Sequence, residues 1–301
     1  MHSLPFLGLE GDFASVAESR IVVVPIPLEK TTTYQQGTKN APTALLKASE
    51  YLEFYDAYFG QQTCRVGIGT DRSLDCRPPL KQCIAHIYER SLYWFEQHKF
   101  PFFIGGEHSV SIGVFQALKE KFGSVTILQI DAHADLRNSY HGSPFNHACV
   151  MARARDCGHN IVQCGVRALS QEEALLIDND PQITCYYDHD DSWKTKQLKK
   201  VVEDVKGPVY LTIDVDGLNP HDMPATGTPV PGGLNWNEIN HLLDSLFSKA
   251  EVIGADICEL KPHKFFKHCD FYAATLAYRI MGHKAKQAGW KLKGDVLSEQ
   301  L

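Results

Sequence analysis

The pentapeptide Asp131–Asp135 places three side chains that can bind metal ions at alternate positions: Asp131, His133 and Asp135. It follows residues 125–130, an apolar run rich in β-branched residues and of the length of a buried strand. In extended backbone, residues i, i+2 and i+4 point to one side, so the three side chains are expected to converge where the strand ends. Two carboxylates and an imidazole are costly there unless a cation neutralises them. A polar strand end with a helix cap is the alternative for this segment alone.

Three other predicted strands are followed by polar groups of the same kind. These groups are His108, the pair Asp214 and Asp216, and Glu259. In open parallel α/β sheets, ligands bind outside the carboxyl ends of the strands. We therefore expect the polar groups, which are scattered in sequence, to meet in one crevice.

The elements that must position these groups alternate between strand and helix along the chain. Predicted strands are 21–26, 64–68, 102–104, 125–130, 161–166, 183–187, 209–213 and 252–257, and predicted helices are 40–52, 79–97, 110–122, 147–154, 192–205, 235–250 and 268–288. This alternation predicts an α/β fold with three layers, in which helices cover both faces of a mostly parallel sheet. The sequence shows no linker or internal repeat, so one domain over residues 1–301 is expected.

The residue types indicate which ions the crevice would hold. Four aspartates and two histidines, without cysteine, suit Mn²⁺ and related divalent ions rather than structural zinc or an iron–sulfur cluster. One dication would leave a net charge of about −2 among the four carboxylates, whereas two would give about zero, so two ions are favoured. Six side chains can serve two ions only if some carboxylates bridge. Bridged ions lie roughly 3.5–4 Å apart and lower the pKa of a shared water, which becomes a hydroxide nucleophile.

Composition and charge argue against several other classes of function. The net charge is −6 and the sequence pI is about 6.1, which disfavours non-specific binding to nucleic acid or to an anionic membrane. The nine cysteines form no C-x-x-C pair and their number is odd, so free thiols in a reducing cytoplasm are expected. We see neither a signal peptide nor an apolar run near the roughly 18 residues that span a bilayer.

Several stretches of the chain resemble, in order and spacing, the ureohydrolase family, which is the arginase and agmatinase group of binuclear manganese enzymes. They are Gly105–Ser109, Asp131–Asp135, Asp214–Pro220, Thr226–Pro229 and Glu259. The resemblance covers about residues 20 to 285 and is strongest to agmatinases. It implies the arginase/deacetylase-like fold, two Mn²⁺ ions per subunit with other divalent ions such as Ni²⁺ as alternatives, and a homo-oligomer, either a trimer or a hexamer.

The resemblance also implies a role for each metal ligand. Two aspartates would bridge the ions, and each ion would have one further histidine and one further aspartate. The bridging pair is Asp131 and Asp214, the first ion's own ligands are His108 and Asp135, and the second ion's are His133 and Asp216. Asp135 would in addition orient the bridging hydroxide.

Two further residues match positions of the family that handle the substrate. Glu259 matches the carboxylate that pairs with the substrate guanidinium, and His147 matches the histidine of the agmatinase-type loop that relays protons. A carboxylate can accept two guanidinium N–H bonds, and a histidine can protonate the departing amine. Asn146, Tyr140 and His141 in the same loop could contact the substrate tail. Surface polar residues are the alternative for these three, as a helix-start histidine is for His147 and a solvated carboxylate for Glu259.

One position in the sequence helps to distinguish arginine from the other candidate substrates. Arginases have an asparagine two residues after the second aspartate of the D-A-H-x-D stretch, where it contacts the α-carboxylate of arginine, whereas this chain has Arg137. The segment 143–151 also resembles agmatinases. We expect agmatine to be hydrolysed to putrescine and urea, as in polyamine biosynthesis. Related substrates (aminopropylagmatine, guanidinobutyrate, arginine, guanidine, formiminoglutamate), a single-zinc hydrolase of the deacetylase type and a catalytically silent binding protein are the alternatives.

Overall fold

The computed structural model describes residues 4–188, 198–295 and 297. The strands are β1 (Ile21–Ile26), β2 (Tyr55–Asp56), β3 (Gln61–Gln62), β4 (Ile68–Thr70), β5 (Phe100–Gly105), β6 (Thr126–Ile130), β7 (Asn160–Val166), β8 (Ile183–Tyr187), β9 (Val209–Asp214) and β10 (Val252–Cys258). The helices are α1 (Ala41–Ser49), α2 (Leu80–Glu96), α3 (Ser111–Phe122), α4 (Val150–Asp156), α5 (Gln171–Asn179), α6 (Trp236–Lys249) and α7 (Lys267–Gln287). Residues 198–203 are also helical.

The described residues form one eight-stranded sheet and one short hairpin. The sheet order is β4-β1-β5-β10-β9-β6-β7-β8, and every neighbouring pair is parallel. The hairpin pairs β2 with β3. The expected parallel α/β architecture is therefore confirmed.

Two apolar cores lie on opposite faces of the sheet. Successive residues of a strand alternate between them: Val23 packs in the core beneath α1, α6 and α7, whereas Val22 and Val24 pack in the core beneath α2, α3 and α4. Because both faces of the strands are covered, β1, β5, β6 and β9 are buried along their whole length. Such strands read as continuous apolar runs in the sequence, which is why they could be predicted.

Two local predictions were wrong. Residues 64–68 were expected as a strand, but the strand, β4, begins only at Ile68. Thr63–Val66 form a 3-10 helix instead, and the Cys64 amide donates to the hydroxyl of Tyr278 and not to a neighbouring strand. Asn40 was expected to cap α1, but its backbone is already helical and its side chain makes no capping bond. Pro42 lies in the first turn as expected, and α1 ends at Ser49 rather than at Leu52.

One helix was missed and one expected helix is described only in part. Ser170 and Glu173 form a capping box that starts α5, a signal that is legible in the sequence as S-x-x-E. Of the helix expected at 192–205, residues 192–197 lie outside the described residues. Across the described ranges, none of the helices has the length and apolar character that crossing a bilayer would require.

Candidate metal centre

The four segments with polar strand ends follow four neighbouring strands in the middle of the sheet. In spatial order these strands are β5, β10, β9 and β6. His108 lies in a 3-10 turn after β5, Glu259 follows β10, Asp214 ends β9, and Asp131 follows β6. Because the strands are parallel, their carboxyl ends lie at one edge, and the side chains meet there as expected.

One group of ligands surrounds the ring of His108. Its Nδ1 lies 3.2 Å from Oδ2 of Asp131, 3.1 Å from Oδ2 of Asp135 and 3.7 Å from Oδ2 of Asp214. All four side chains are buried. Three of them, His108, Asp131 and Asp135, have ligand atoms close enough together to hold one ion.

A second group surrounds His133. Its Nδ1 lies 3.0 Å from Oδ2 of Asp216 and 3.6 Å from Oδ1 of Asp131. Asp131 thus directs one carboxylate oxygen to each histidine, so it would be able to bridge two ions if both groups bound one. The two groups together contain all six of the metal ligands expected from the sequence.

The backbone brings these side chains together in a different way from the one expected. The segment 131–135 is not extended strand, because Asp135 has a positive φ of 53°. The Asp135 carbonyl accepts the amides of Met151 and Ala152 at the start of α4, which holds the turn. The expected cluster therefore forms through this turn and not through the alternation of an extended strand. Asp131 and Asp135 converge on His108, while His133 is directed toward Asp216.

Backbone and side-chain donors orient the carboxylates. Asp131 accepts the Gln129 side-chain amide on Oδ2 at 2.7 Å and the His133 amide on Oδ1 at 2.6 Å. Asp216 accepts the Ala132 amide at 3.1 Å, and its own amide donates to Oδ1 of Asp214 at 2.9 Å. Such outer contacts fix the position of ligand oxygens before an ion binds.

The concentration of carboxylates in this site favours the binding of cations. Burial and the charges of Asp216 and Asp131 raise the pKa of Asp214 well above its usual range, and burial with the charge of Asp131 raises the pKa of Asp135 to about 7. Burial opposes the charged form of His133, yet the carboxylates of Asp131 and Asp216 outweigh it and raise its pKa to about 11. Four carboxylates are thus concentrated where they repel one another, and divalent ions would remove this repulsion.

The protein atoms by themselves do not satisfy His108. Its Nδ1 is buried and forms no hydrogen bond of good geometry with any described residue, although three carboxylate oxygens lie within 3.7 Å. A divalent ion coordinated by the ring nitrogen and by these oxygens would satisfy all of them at once. The nitrogen and oxygen donors also match the preferences of Mn²⁺ and similar ions, so the residues fit the binuclear centre.

A cavity of about 180 Å³ opens over the metal ligands. His133, Asp135, Asp214 and Asp216 form its floor, and Glu259, His147 and Arg137 are among its walls. The backbone of Glu259 is held in the left-handed region, with φ 64°, by the bond from its amide to the Gly106 carbonyl. Its Oε1 accepts the His108 amide at 2.7 Å. The expected guanidinium partner and the expected proton relay therefore face the same small space as the metal ligands.

Comparisons with known proteins agree with the metal-binding geometry described above. The sequence pattern of the arginase family matches residues 19–282. The chain belongs to the arginase family. It is 37% identical to the N(1)-aminopropylagmatine ureohydrolase of Synechocystis, over 92% of this chain and 93% of the relative, and 33% identical to that of a Thermus thermophilus strain, over 92% and 94%. The crystal structure of agmatine ureohydrolase of Thermoplasma volcanium superposes with a TM-score of 0.84 at 28% identity, covering 96% of this chain and 97% of that one.

As an arginase-family member, the protein is a metal-dependent ureohydrolase, an enzyme that acts on small guanidino compounds. Its fold is that of the family. Members of this family use a binuclear metal centre, and the two His/Asp groups of this chain are arranged so that they could hold metal ions. The expectation of a ureohydrolase is thereby confirmed at the level of the family.

One residue expected in the substrate site of this arginase-family enzyme is placed differently. Asn146 is buried, and its Oδ1 accepts the Ala148 amide at 3.0 Å, which caps the 3-10 turn His147–Cys149. It lines a neighbouring groove and not the cavity over the metal ligands. The cap accounts for an asparagine here because it satisfies a backbone amide at a helix start.

Two other residues of the site had no assigned role. Glu107 stands within the motif Gly105–Ser109 and is fully buried, and Thr31 connects it to His147. In the sequence, the position of Glu107 directly beside an expected metal ligand could have indicated a role in the site. The contact of Thr31 with His147 spans 116 residues of sequence and had no local signal.

Proposed function

We propose that the enzyme hydrolyses the guanidino group of an alkyl guanidine with an amine tail, releasing urea and a polyamine. Agmatine is the substrate expected from the sequence. N(1)-aminopropylagmatine is the second candidate, because it is the substrate in the names of the two relatives described above. The observation that carries the proposal is the position of Glu259, a buried carboxylate that lines the same small cavity as four of the six expected metal ligands.

We propose Mn²⁺ as the ion, with Asp131 and Asp214 as bridging ligands. His108 and Asp135 would complete one ion's shell, and His133 and Asp216 the other's. When bound, the pair of ions would activate water for attack on the guanidino carbon at neutral pH.

Glu259 binds and orients the substrate in this proposal. A guanidinium can donate two parallel N–H bonds to a carboxylate, which fixes the guanidino carbon over the floor of the cavity. Oε1 already accepts the His108 amide, but a carboxylate oxygen can accept a second bond, so both oxygens remain able to bind the substrate. Asp135, whose Oδ2 also faces His108, would hold the attacking group in line.

His147 supplies the proton for the leaving amine. Burial lowers the pKa of His147, although the charge of Glu107 opposes this effect. The lower pKa favours the neutral ring and makes its conjugate acid a stronger proton donor than an exposed histidine. A guanidino carbon is a poor electrophile, so a protonated leaving group is needed for the bond to break.

The tail of the substrate would extend toward Tyr34 and Tyr140. Both rings line the cavity, and Tyr34 is 75% exposed at its mouth. Aromatic faces attract ammonium groups. Arg137 also lines the cavity, and it favours a second class of substrate, guanidines with a carboxylate tail such as guanidinobutyrate and arginine. Its guanidinium lies 5.0 Å over the Tyr140 ring, and its Nε lies 3.9 Å from Glu173.

The decisive experiment measures urea released by the manganese-loaded protein from agmatine, aminopropylagmatine, guanidinobutyrate, arginine and guanidine. The metal content of the same sample is determined in parallel. Asp131→Asn, purified in the same way, controls for contaminating host enzymes. We expect the highest kcat/KM with one of the two amine-tailed guanidines. Urea from arginine or guanidinobutyrate but not from either amine would overturn the proposal.

We also propose a cytoplasmic homo-oligomer, a trimer or a hexamer, that acts in polyamine biosynthesis. Nine free cysteines, most of them buried, support a reducing compartment. Exposed phenylalanines at positions 265 and 271, with 73% and 43% exposure, support a subunit contact. Light scattering on the protein as it elutes from a gel-filtration column would give the number of subunits. A monomeric mass would contradict the proposed oligomer.

A further inference from the structure

Glu107 is a fully buried carboxylate that does not contribute to the metal-ligand groups. Its Oε2 accepts the backbone amides of Lys30 and Thr31 at 2.5 and 2.6 Å. Its Oε1 accepts the hydroxyl of Thr31 at 2.8 Å and the hydroxyl of Ser109. Four donors therefore compensate its burial and tie the loop after β1 to the metal-ligand turn after β5.

The hydroxyl of Thr31 also contacts His147 twice. Oγ1 accepts the backbone amide of His147 at 3.0 Å and lies 3.1 Å from Nδ1 of its ring. A threonine hydroxyl has one proton, and that proton is given to Glu107. The contact with the ring is therefore a hydrogen bond only when Nδ1 carries the proton and donates it.

We propose that Thr31, oriented by Glu107, is a positioning residue that holds His147 in the Nδ1–H tautomer. Nε2 is then the ring nitrogen that takes up and releases the proton during catalysis. This inference rests on the proposed role of His147. It adds the reason why that histidine exchanges protons at one defined atom.

The same hydrogen bond serves both charge states of His147. Nδ1 is protonated in the chosen neutral tautomer and in the cation, so the bond to Thr31 persists while Nε2 gains and loses its proton. No rotation of the ring is needed between the two steps. The acceptor is charge-assisted through Glu107, because the carboxylate polarises the Thr31 hydroxyl toward its own oxygen.

The first test reads the tautomer directly and does not depend on turnover. The full-length chain is labelled with ¹⁵N-histidine and loaded with Zn²⁺, which is diamagnetic. A two-bond ¹H–¹⁵N correlation spectrum is then recorded at mildly alkaline pH, and the His147 signals are assigned by their loss in His147→Gln. We expect a protonated Nδ1 and an unprotonated Nε2. Thr31→Val should shift the ring toward the Nε2–H tautomer, and Thr31→Ser should keep the wild-type pattern. A wild-type ring in the Nε2–H form would overturn the inference.

The second test separates positioning from substrate binding. Thr31→Val should lower kcat by about 10- to 100-fold, as removal of an outer contact of an active group typically does, with little change in KM. Thr31→Ser should restore most of kcat. In the His147→Gln background, Thr31→Val should cost almost nothing further, because the two residues act as one unit. Equal losses from Thr31→Val in both backgrounds would contradict the coupling.

A matched control removes the other hydroxyl that donates to Glu107. Ser109→Ala loses a bond to the same oxygen but has no contact with the ring of His147. It should keep the Nδ1–H tautomer. Loss of this tautomer in Ser109→Ala as well would show that Glu107 acts only through general packing, and would refute a specific role for Thr31.

The two proposals fail in different ways. If no guanidine is hydrolysed while the tautomer follows Thr31 as expected, the proposed function is wrong and the structural part of the inference stands. If urea is released but the His147 tautomer is indifferent to Thr31, the positioning role is wrong and the proposed function stands.

Discussion

The Nε2 atom of His108 lies 2.9 Å from Oγ1 of Thr212, and this contact defines the nitrogen that faces the metal ligands. Thr212 donates its only proton to Oδ1 of the fully buried Asp256 at 2.7 Å, so it must accept from His108 Nε2–H. Asp256 is held by the hydroxyls of Tyr210 and Ser111, each at 2.8 Å. Since Nε2 carries a proton, Nδ1 is the ring nitrogen that faces Asp131. It would lose any proton of its own when it binds a metal ion.

Replacement of Thr212 tests this support of the metal ligand. Thr212→Val keeps the shape but removes the acceptor for His108 Nε2–H, so the affinity for the ion on the His108 side should fall by about 10- to 100-fold. Thr212→Ser should keep near-normal affinity because it retains the hydroxyl. Titration of the metal-free protein with Mn²⁺ measures both variants. Equal affinities for the valine and serine variants would rule out the orienting role.

Asp131→Asn should weaken both ions, because Asp131 directs one oxygen to His108 and the other to His133. An asparagine keeps the size but loses the bridging charge. Asp216→Asn is the matched control, since its carboxylate contacts only the His133 ring among the two histidines. It should lose mainly one ion. Metal content per chain after gel filtration distinguishes the two cases, and two retained ions with full turnover in Asp131→Asn would disprove bridging.

Glu259→Gln should impair the substrate and spare the metals. The glutamine carbonyl can still accept the His108 amide, but the charge that pairs with the guanidinium is lost. A hydrogen bond to a charged group contributes about 1.5 to 3 kcal/mol, so kcat/KM should fall roughly 10- to 150-fold. Kinetics with agmatine and metal analysis of the same sample measure this. Unchanged kcat/KM would remove Glu259 from the substrate site, and loss of metal would make it a structural residue.

The sequence was sufficient to predict which polar side chains cluster at the edge of the sheet, because these side chains follow buried parallel strands. Strands such as β6 and β9 are apolar on both faces, so their ends could be read from composition. The spatial order of the strands in the sheet could not be predicted from the sequence. Only the sheet shows that β5, β10, β9 and β6 are neighbours, and this order depends on pairings between distant segments.

Local conformation was the less predictable part of the site. The positive φ of Asp135 depends on the amides of α4, which lie 16 and 17 residues later, and not on the pentapeptide itself. The link from Glu107 through Thr31 to His147 joins three distant segments, and the pairing of β1 with β5 brings only the first two together. Sequence patterns report periodicity and turn chemistry, but they do not report which loops the tertiary fold brings together.

His283 should make the folded protein lose stability between about pH 6.5 and pH 4. Its ring stacks on Phe247 at 5.3 Å and meets the edge of Phe59 at 4.9 Å, and its buried Nε2 has no hydrogen-bond partner among the described residues. Burial lowers the pKa of this histidine to about 4. The charge of Asp244 offsets only part of this effect, and the charge of Arg279 adds to it. The unfolded chain, with an ordinary histidine pKa of about 6.5, takes up a proton in this window that the folded chain does not bind.

The sign and size of this loss of stability follow from the difference in proton binding between the folded and the unfolded chain. Above pH 6.5 His283 is neutral in both states and contributes no pH dependence, and below pH 4 it is charged in both. Between these limits the free energy of unfolding should decrease by about 3 kcal/mol in total on account of this residue. Denaturant unfolding of the chelator-treated protein at a series of pH values measures the loss, and His283→Gln provides the comparison, since glutamine does not titrate. The metal ligands titrate equally in both proteins, so their contribution cancels in the difference. If both proteins lose the same free energy across the window, the buried ring does not stay neutral in the folded state.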